Sequence, residues 1–262
     1  MGRVVFVDLD DTLFQTARKD PTATRLAAVD GQGAPLSFQS DRQASLLDWL
    51  SDGARVIPVT GRNVQAFRRV TLDFGDRAIC SFGGVVLNAD GTPDPAWHGR
   101  MAAAAPAAAP ALDTLHAATR QRAEALGIDV RHRVIDDAGL PLYLSVKHNA
   151  GSGAETARLA EAMAPHMPAG WTIHRNGSNM ALLPPFLGKA HAVRFVMDAL
   201  REVDGHQPLL TIGVGDSLTD LGYMALCDYA LTPRGTQIAD LFARWTQPAA
   251  AHDPQEGSED AA

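Results

Sequence analysis

The sequence predicts an α/β protein: a parallel sheet covered on both faces, interrupted by an inserted α+β unit built on an antiparallel sheet. Three observations predict it. Short, continuously apolar runs alternate with amphipathic stretches at both ends of the chain, whereas the middle pairs its strands around turn dipeptides. The apolar runs at the two ends also finish on acidic or hydroxyl residues. A length of 262 residues allows one large domain or two modest ones, and 46% hydrophobic against 20% charged supplies an ordinary core.

Residues 4–7 form a buried strand that runs straight into Asp8. Ser40 caps a helix over 41–50, with Leu46, Leu47 and Leu50 on one face and Gly53 closing it. A second strand over 55–59 ends at Thr60-Gly61, a helix follows over 63–72, and a third strand over 78–82 is broken by Gly83-Gly84. The rhythm resumes late in the chain: a helix over 189–202, a strand over 208–214 ending at Gly215-Asp216, a short helix over 218–226, a strand over 229–231 and a helix over 235–245. Ala192, Val193, Val196 and Leu200 make the apolar stripe of the first of these helices. Residues 247–262 carry no apolar periodicity and read as a disordered tail.

The middle, roughly 87–186, opens with a loop over 89–99 and a proline-broken alanine run ahead of a helix near 111–126. Segments 128–136 and 141–149 make a hairpin about Ala138-Gly139, 154–166 a second helix, and 171–175 with 178–183 a hairpin about Asn176-Gly177. The unit is therefore αββαββ, with helices on one face of an antiparallel sheet. A three-residue turn at 138–140 pairs Arg131 with Lys147 and Arg133 with Ser145, which gathers the apolar side chains on the other face. The polar face then holds Arg131, Arg133, Tyr143, Ser145, Lys147, Thr172, His174 and Asn179.

Composition removes several functions. A net charge of −7 and 6% aromatic residues speak against a nucleic-acid or acidic-membrane binder. No run approaches the ~18 apolar residues a membrane helix needs, and the N-terminus lacks a secretory pattern. Phe6 stands where a myristoylation signal wants Ser or Thr. Cys80 and Cys227 fit neither a disulfide framework nor a zinc site, so the expectation is a cytoplasmic protein. The absence of a heptad or long apolar patch suggests a monomer. The histidines, among them His98, His116, His166, His191 and His206, follow no metal-ligand spacing.

The chemistry collects at the carboxyl ends of the strands, where open α/β sheets bind ligands. Asp8, Asp10 and Thr12 follow the first strand, Thr60 the second, and Asp216, Ser217 and Asp220 the fourth, with Lys189 opening the preceding helix. Clustered carboxylates repel unless a proton or a hard divalent cation joins them, and Mg²⁺ takes oxygen ligands. Asp216 and Asp220, four apart, would converge from a helix starting near Ser217. Lys189 and Thr60 suit phosphate oxygens, an Asp can act as nucleophile, and a second Asp can shuttle a proton.

Asp8-Leu-Asp10-Asp-Thr12, Thr60 in VIPVTGR, Lys189 in LGKAHAV, and GDSLTD with Asp216 and Asp220 together resemble the four ordered motifs of the haloacid dehalogenase (HAD) superfamily. The resemblance covers about 1–86 and 187–246 as a discontinuous Rossmann-like core, and the insert at 87–186 resembles the family's type IIB (Cof-like) cap, as in sucrose-phosphate and mannosyl-3-phosphoglycerate phosphatases. It implies Asp8 as nucleophile, Asp10 as general acid/base, Thr60, Gly61 and Lys189 as phosphate ligands, and Mg²⁺ held by Asp8, the Asp10 carbonyl, Asp216 and Asp220. Asp11 departs from the Gly that many relatives carry. The implied activity is hydrolysis of a small phosphorylated metabolite, such as a sugar phosphate or phosphorylated glycoside, with Arg131, Arg133, Lys147, His174 and Asn179 of the cap touching the leaving group. A phosphomutase of the same family and a HAD-fold binding module without catalysis are the alternatives.

Overall fold

The apolar N-terminal run becomes the middle of a parallel sheet because both of its faces are covered: Val4, Val5, Phe6 and Val7 are all buried. The structure, a computed structural model, describes residues 2–203, 205 and 207–246, so the tail expected at 247–262 lies outside the described residues. The chain begins with β1 (Gly2–Val7), β2 (Gln15–Thr16), β3 (Arg25–Val29), β4 (Pro35–Gln39), α1 (Asp41–Ser51), β5 (Arg55–Pro58) and α2 (Val64–Phe67). It continues through β6 (Ala78–Cys80), β7 (Val85–Leu87), α3 (Pro95–Leu126), β8 (Val130–Asp137), β9 (Leu140–His148), α4 (Gly153–Met163), β10 (Thr172–Asn176) and β11 (Asn179–Leu183). It closes with α5 (Lys189–Val203), β12 (Leu209–Val214), α6 (Leu221–Met224), β13 (Tyr229–Leu231) and α7 (Gln237–Thr246).

The parallel sheet runs β13-β12-β1-β5, with β6 set beside β5 through the bridge between Val59 and Ile79. The carboxyl ends of β1, β5 and β12 therefore open on one edge. Ser40 caps α1 in a reciprocal box with Gln43, as its sequence position suggests.

The helix expected over 63–72 lasts one turn. Asn63 caps it, but residues 69–71 pair with β3 instead: Val29 N–H donates to the Arg69 carbonyl at 3.0 Å and Thr71 N–H to the Ala27 carbonyl at 2.9 Å. A small antiparallel sheet, β2-β4-β3, fills residues 15–39, which the sequence reading left unassigned. Its signal was Asp30-Gly31 between two apolar runs; Asp30 accepts from the N–H groups of Gln32 and Ala34 at 2.8 and 2.9 Å.

In the insert, residues 89–94 are loop as expected, but 95–99 and the broken alanine run belong to one continuous helix of 32 residues, α3, capped by Asp94 and closed by Gly127 in the left-handed region. Pro106 and Pro110 lie on its exposed side, where water can take the carbonyls they leave without partners, and the surrounding alanines favour helix strongly.

The antiparallel sheet runs β10-β11-β9-β8. Its register holds Arg131 opposite Lys147 and Arg133 opposite Ser145 as expected. The turn differs: Asp137 pairs with Leu140 around the dipeptide Ala138-Gly139, and a bulge between Ile135 and Asp136 absorbs the extra residue. In the second hairpin Asn176 pairs with Asn179, so the turn is Gly177-Ser178, one residue later than expected. Leu112 and Leu115 of α3 and Leu159 and Met163 of α4 cover one face, packing on Leu144, Val146, Met180 and Leu182.

The other face is not wholly polar. Ile135, Tyr143, Ala181 and Leu183 join an apolar cluster with Phe82, Val85 and Leu187, and Leu142 belongs to the same cluster. Trp97 of α3 adds an indole N–H to the Gly83 carbonyl at 2.9 Å and packs on Phe195 of α5. The insert is thus seated on the edge where β1, β5 and β12 end. Leu142 is fully buried at this seam, so Leu142→Ala should cost about 2–5 kcal/mol. Urea unfolding measures it; a loss under ~1 kcal/mol would show that the seam is loose.

Candidate active site

β1, β12 and α5 deliver four charged side chains to one buried point. Ligand oxygens of Asp8, Asp216 and Asp220 all lie within 4.8 Å of one another. Lys189, at the first turn of α5, donates to Asp8 Oδ1 at 2.5 Å and to Asp220 Oδ1 at 2.6 Å. All four are at most 5% exposed.

The approach is set by small residues. A Cβ on Gly83 would sit 2.4 Å from the Gly188 carbonyl oxygen, so only glycine lets the loop after β6 pack under the start of α5 and fix Lys189. Ser81 and Phe82 just before it both adopt left-handed backbone, which costs non-glycine residues about 1–3 kcal/mol each. Asp11 does so as well, at φ +67°. That accounts for the departure from glycine at this place: aspartate tolerates the left-handed region better than most residues do.

Asp216 and Asp220 converge, though not from a helix. They lie in a turn ahead of α6, with Asp220 N–H donating to the Ser217 carbonyl at 2.9 Å. Asp220 Oδ2 accepts from Asp216 N–H, Ser217 N–H and Ser217 Oγ at 3.2, 2.9 and 2.8 Å. Asp220 thus spends one oxygen on its own loop and the other on Lys189. Asp8, held by Lys189 through Oδ1, and Asp216, touched by the Thr12 hydroxyl at 3.5 Å, have more oxygen left to offer.

Three buried carboxylates against one ammonium leave net negative charge, and the proton affinities register it. Burial pushes the Asp8 carboxyl well above the usual range; Lys189 opposes this, while Asp220 and Asp216 add to it. Burial, then Asp220 and Asp11, push Asp216 up to about 7. Burial alone would pull Lys189 down, but Asp220 and Asp8 outweigh it and hold the ammonium above the ordinary lysine range. An all-oxygen, electron-rich cluster of this kind fits a hard divalent cation.

Asp10 stands apart from the cluster. Arg62 grips its carboxylate with both arms of the guanidinium, Nε to Oδ2 and Nη2 to Oδ1 each at 2.7 Å, and stacks on the Phe14 ring at 5.0 Å. Thr60 is buried and its hydroxyl accepts from Arg62 N–H at 3.1 Å. Gly61 brings its backbone against Phe82, where a Cβ would meet the ring at 2.5 Å.

The insert reaches this edge at several points. Tyr143 donates its hydroxyl to the Gly61 carbonyl at 3.0 Å, and Asn176 donates to Asp11 at 3.0 Å. Asp137 at the hairpin tip accepts from Ser81 Oγ at 2.6 Å and Val64 N–H at 2.9 Å. His174 packs its ring on Phe82 at 5.2 Å, and burial, then Lys189, draw its pKa down to about 4. Of the predicted cap residues, His174 meets the site directly, while Arg131, Arg133, Lys147 and Asn179 are exposed on the same sheet face. Arg62, Phe82 and Asp137 were not singled out from sequence; only the Arg next to Thr60-Gly61 offered a signal.

Fold and site together define the class by architecture: an α/β core on a parallel sheet, carrying an αββαββ insert seated over the edge where β1, β5 and β12 end. Solved structures share this fold. Sucrose-phosphatase from Synechocystis sp. PCC6803 aligns at 18% identity over 94% of this chain and 88% of its own, with a TM-score of 0.54. The C-terminal domain of trehalose-6-phosphate phosphatase from C. albicans aligns at 17% identity over 85% and 72%, TM-score 0.51. Plasmodium falciparum IMP-nucleotidase aligns at 10% identity over 89% of this chain and 64% of its own, TM-score 0.56. No family model matches the sequence, and no curated protein matches it.

Asp216 has an ordinary carboxyl pKa of 3.8 and one near 7 when folded, so the folded metal-free chain keeps a proton that the unfolded chain releases. Its stability therefore falls as pH rises from about 4 to about 7 and stays low above that. In chelator, the advantage of Asp216→Asn over the wild type should grow across this window and then level off. Thermal melts read it; a constant difference from pH 4 to 8 would contradict the charge argument.

Proposed function

We infer that this chain is a Mg²⁺-dependent phosphomonoester hydrolase working through an aspartyl-phosphate on Asp8. The observation that carries the reading is the buried Asp8–Asp216–Asp220–Lys189 cluster at the carboxyl edge of the parallel sheet. It is supported by the fold shared with solved structures named as a sucrose-phosphatase and a trehalose-6-phosphate phosphatase. Residues 2–86 and 187–246 act as the core, and 87–186 as a cap over it. The substrate class is a small sugar phosphate or phosphorylated glycoside.

Asp8 attacks phosphorus in line. Its carboxylate oxygen forms the new P–O bond as the bond to the substrate oxygen breaks, and Asp10 gives that oxygen a proton. Water then attacks the aspartyl-phosphate, Asp10 takes the proton back, and Asp8 leaves as carboxylate. Lys189 and the Thr60 hydroxyl, with the backbone at Gly61, face phosphate oxygens, and Lys189 offsets the charge that builds on them. Mg²⁺, held by Asp8, the Asp10 carbonyl and Asp216 with Asp220 behind them, would neutralise the remaining charge between nucleophile and phosphate. Arg62 holds the Asp10 carboxylate at the mouth of the substrate-free site; Asp10 leaves Arg62 and takes a proton from solvent before it serves as the acid. The cap, pinned by Tyr143, Asn176 and Asp137, shields the first step from bulk water.

Asp8→Asn should lower p-nitrophenyl phosphate hydrolysis in Mg²⁺ at least about a thousandfold. Chelation of the wild type should abolish turnover, and readdition of Mg²⁺ restore it. Phosphate release by Asp8→Asn at wild-type rate would overturn the mechanism. Conversion of a sugar phosphate into its isomer without free phosphate would replace hydrolysis by transfer to a second hydroxyl.

A further inference from the structure

The cap face above the site carries more positive charge than the protein uses. Strand register sets Arg131, Lys147, Asn179 and Asn176 in one row across β8, β9, β11 and β10, and Arg133, Ser145, Ala181 and His174 in the next. Arg131 and Lys147 are directly opposed and Arg133 lies on the diagonal, an arrangement of like charges that weakens a sheet. In a chain of net charge −7 such crowding is unexpected. Among the described residues, neither Arg133 nor Lys147 has a carboxylate or hydrogen-bond partner; Arg131 leans outward to Asn149, 3.2 Å away.

Both rows lead into the site. The first ends in Asn176 on Asp11, the second in His174 on Phe82. Lys147 is exposed, and partial burial of its side chain, then Arg131, lower its pKa while Asp10 opposes them, so its ammonium feels the charge of the mouth below. The carboxylates there are already taken: Asp10 is held by Arg62, and Asp11 by Lys19. Among the described residues, neither of these two carboxylates is left for the cap cations.

We propose that the leaving group of the substrate carries a second anionic group, seated on Arg133 and Lys147 while its phosphate lies at Asp8. This rests on the hydrolase reading above and names its substrate class: phosphomonoesters of acidic, hydroxylated molecules rather than of neutral sugars. A guanidinium fork beside an ammonium suits a carboxylate or a phosphate. Asn179, opposite Lys147, and Ser145, opposite Arg133, offer hydrogen bonds to hydroxyls.

Substrate pairs that differ only in charge test it. 6-Phosphogluconate and sorbitol 6-phosphate differ by a carboxylate in place of a hydroxymethyl group, as do 3-phosphoglycerate and glycerol 3-phosphate. Wild-type kcat/KM should favour the acid in at least one pair by about tenfold or more, the effect of one charge-assisted contact. A preference seen only for fructose 1,6-bisphosphate over fructose 6-phosphate would assign the second anion as phosphate. Lys147→Gln and Arg133→Gln should each bring the favoured ratio towards one, while Lys147→Arg and Arg133→Lys keep most of it. A general structural effect would lower both members together and leave the ratio intact. Ratios near one in all three pairs, or ratios unmoved by the Gln variants, would overturn the proposal. Failure of the hydrolase reading looks different: no phosphate from any of these compounds or from p-nitrophenyl phosphate.

Discussion

Three carboxylates that would repel one another in water are buried together, and the rest of the structure is arranged around that cost. Lys189 offsets part of it through contacts of 2.5 and 2.6 Å to Asp8 and Asp220. The remainder raises the proton affinity of Asp8 and Asp216. A buried cluster of this kind persists only when the backbone around it is over-determined. Here the constraint comes from the ends of β1 and β12, the start of α5, and a loop after β6 whose Gly83 leaves no room for a Cβ. The charge that destabilises the metal-free chain is the same charge that would bind a cation.

The seam between insert and core follows from that arrangement. Tyr143, Asp137 and Asn176 each hydrogen-bond a residue next to the motif loops, and Phe82 fits between Gly61, Tyr143 and His174. Phe82 and Ser81 hold strained backbone there, which the packing of the cap supports. The opposite face of the same sheet is an ordinary apolar surface under α3 and α4. One sheet therefore serves as core on one side and as the roof of the site on the other.

Much of this was legible because period and burial agree. The continuous apolar strands, the Ser40 cap, the stripe of α5 and the face pattern of β8 and β9 each had a single consistent reading. Register in the first hairpin survived a wrong turn assignment, because mixing the faces costs more than a bulge. What failed had competing physics. Pro106 and Pro110 read as breaks, yet alanine propensity and an exposed helix face carried α3 through them. Residues 69–71 read as helix, yet pairing with β3 took their backbone groups. In the candidate site, Asp8, Asp216 and Asp220 stood out by their strand ends and Lys189 by its helix start, and the structure brings the four side chains together. Arg62, Phe82 and Asp137 did not stand out, because their roles arise from contacts with residues 52, 61 and 73 positions away in the chain.

Whether Asp8 accepts the phosphoryl group, as proposed, is read from a trapped intermediate. Wild-type protein, saturated with substrate in Mg²⁺ and quenched in acid within a turnover, is digested and weighed peptide by peptide. One phosphoryl group is expected on the peptide carrying Asp8, removed by hydroxylamine as an acyl phosphate must be. An unmodified Asp8 peptide throughout the first turnover, with the group on another side chain, would contradict it.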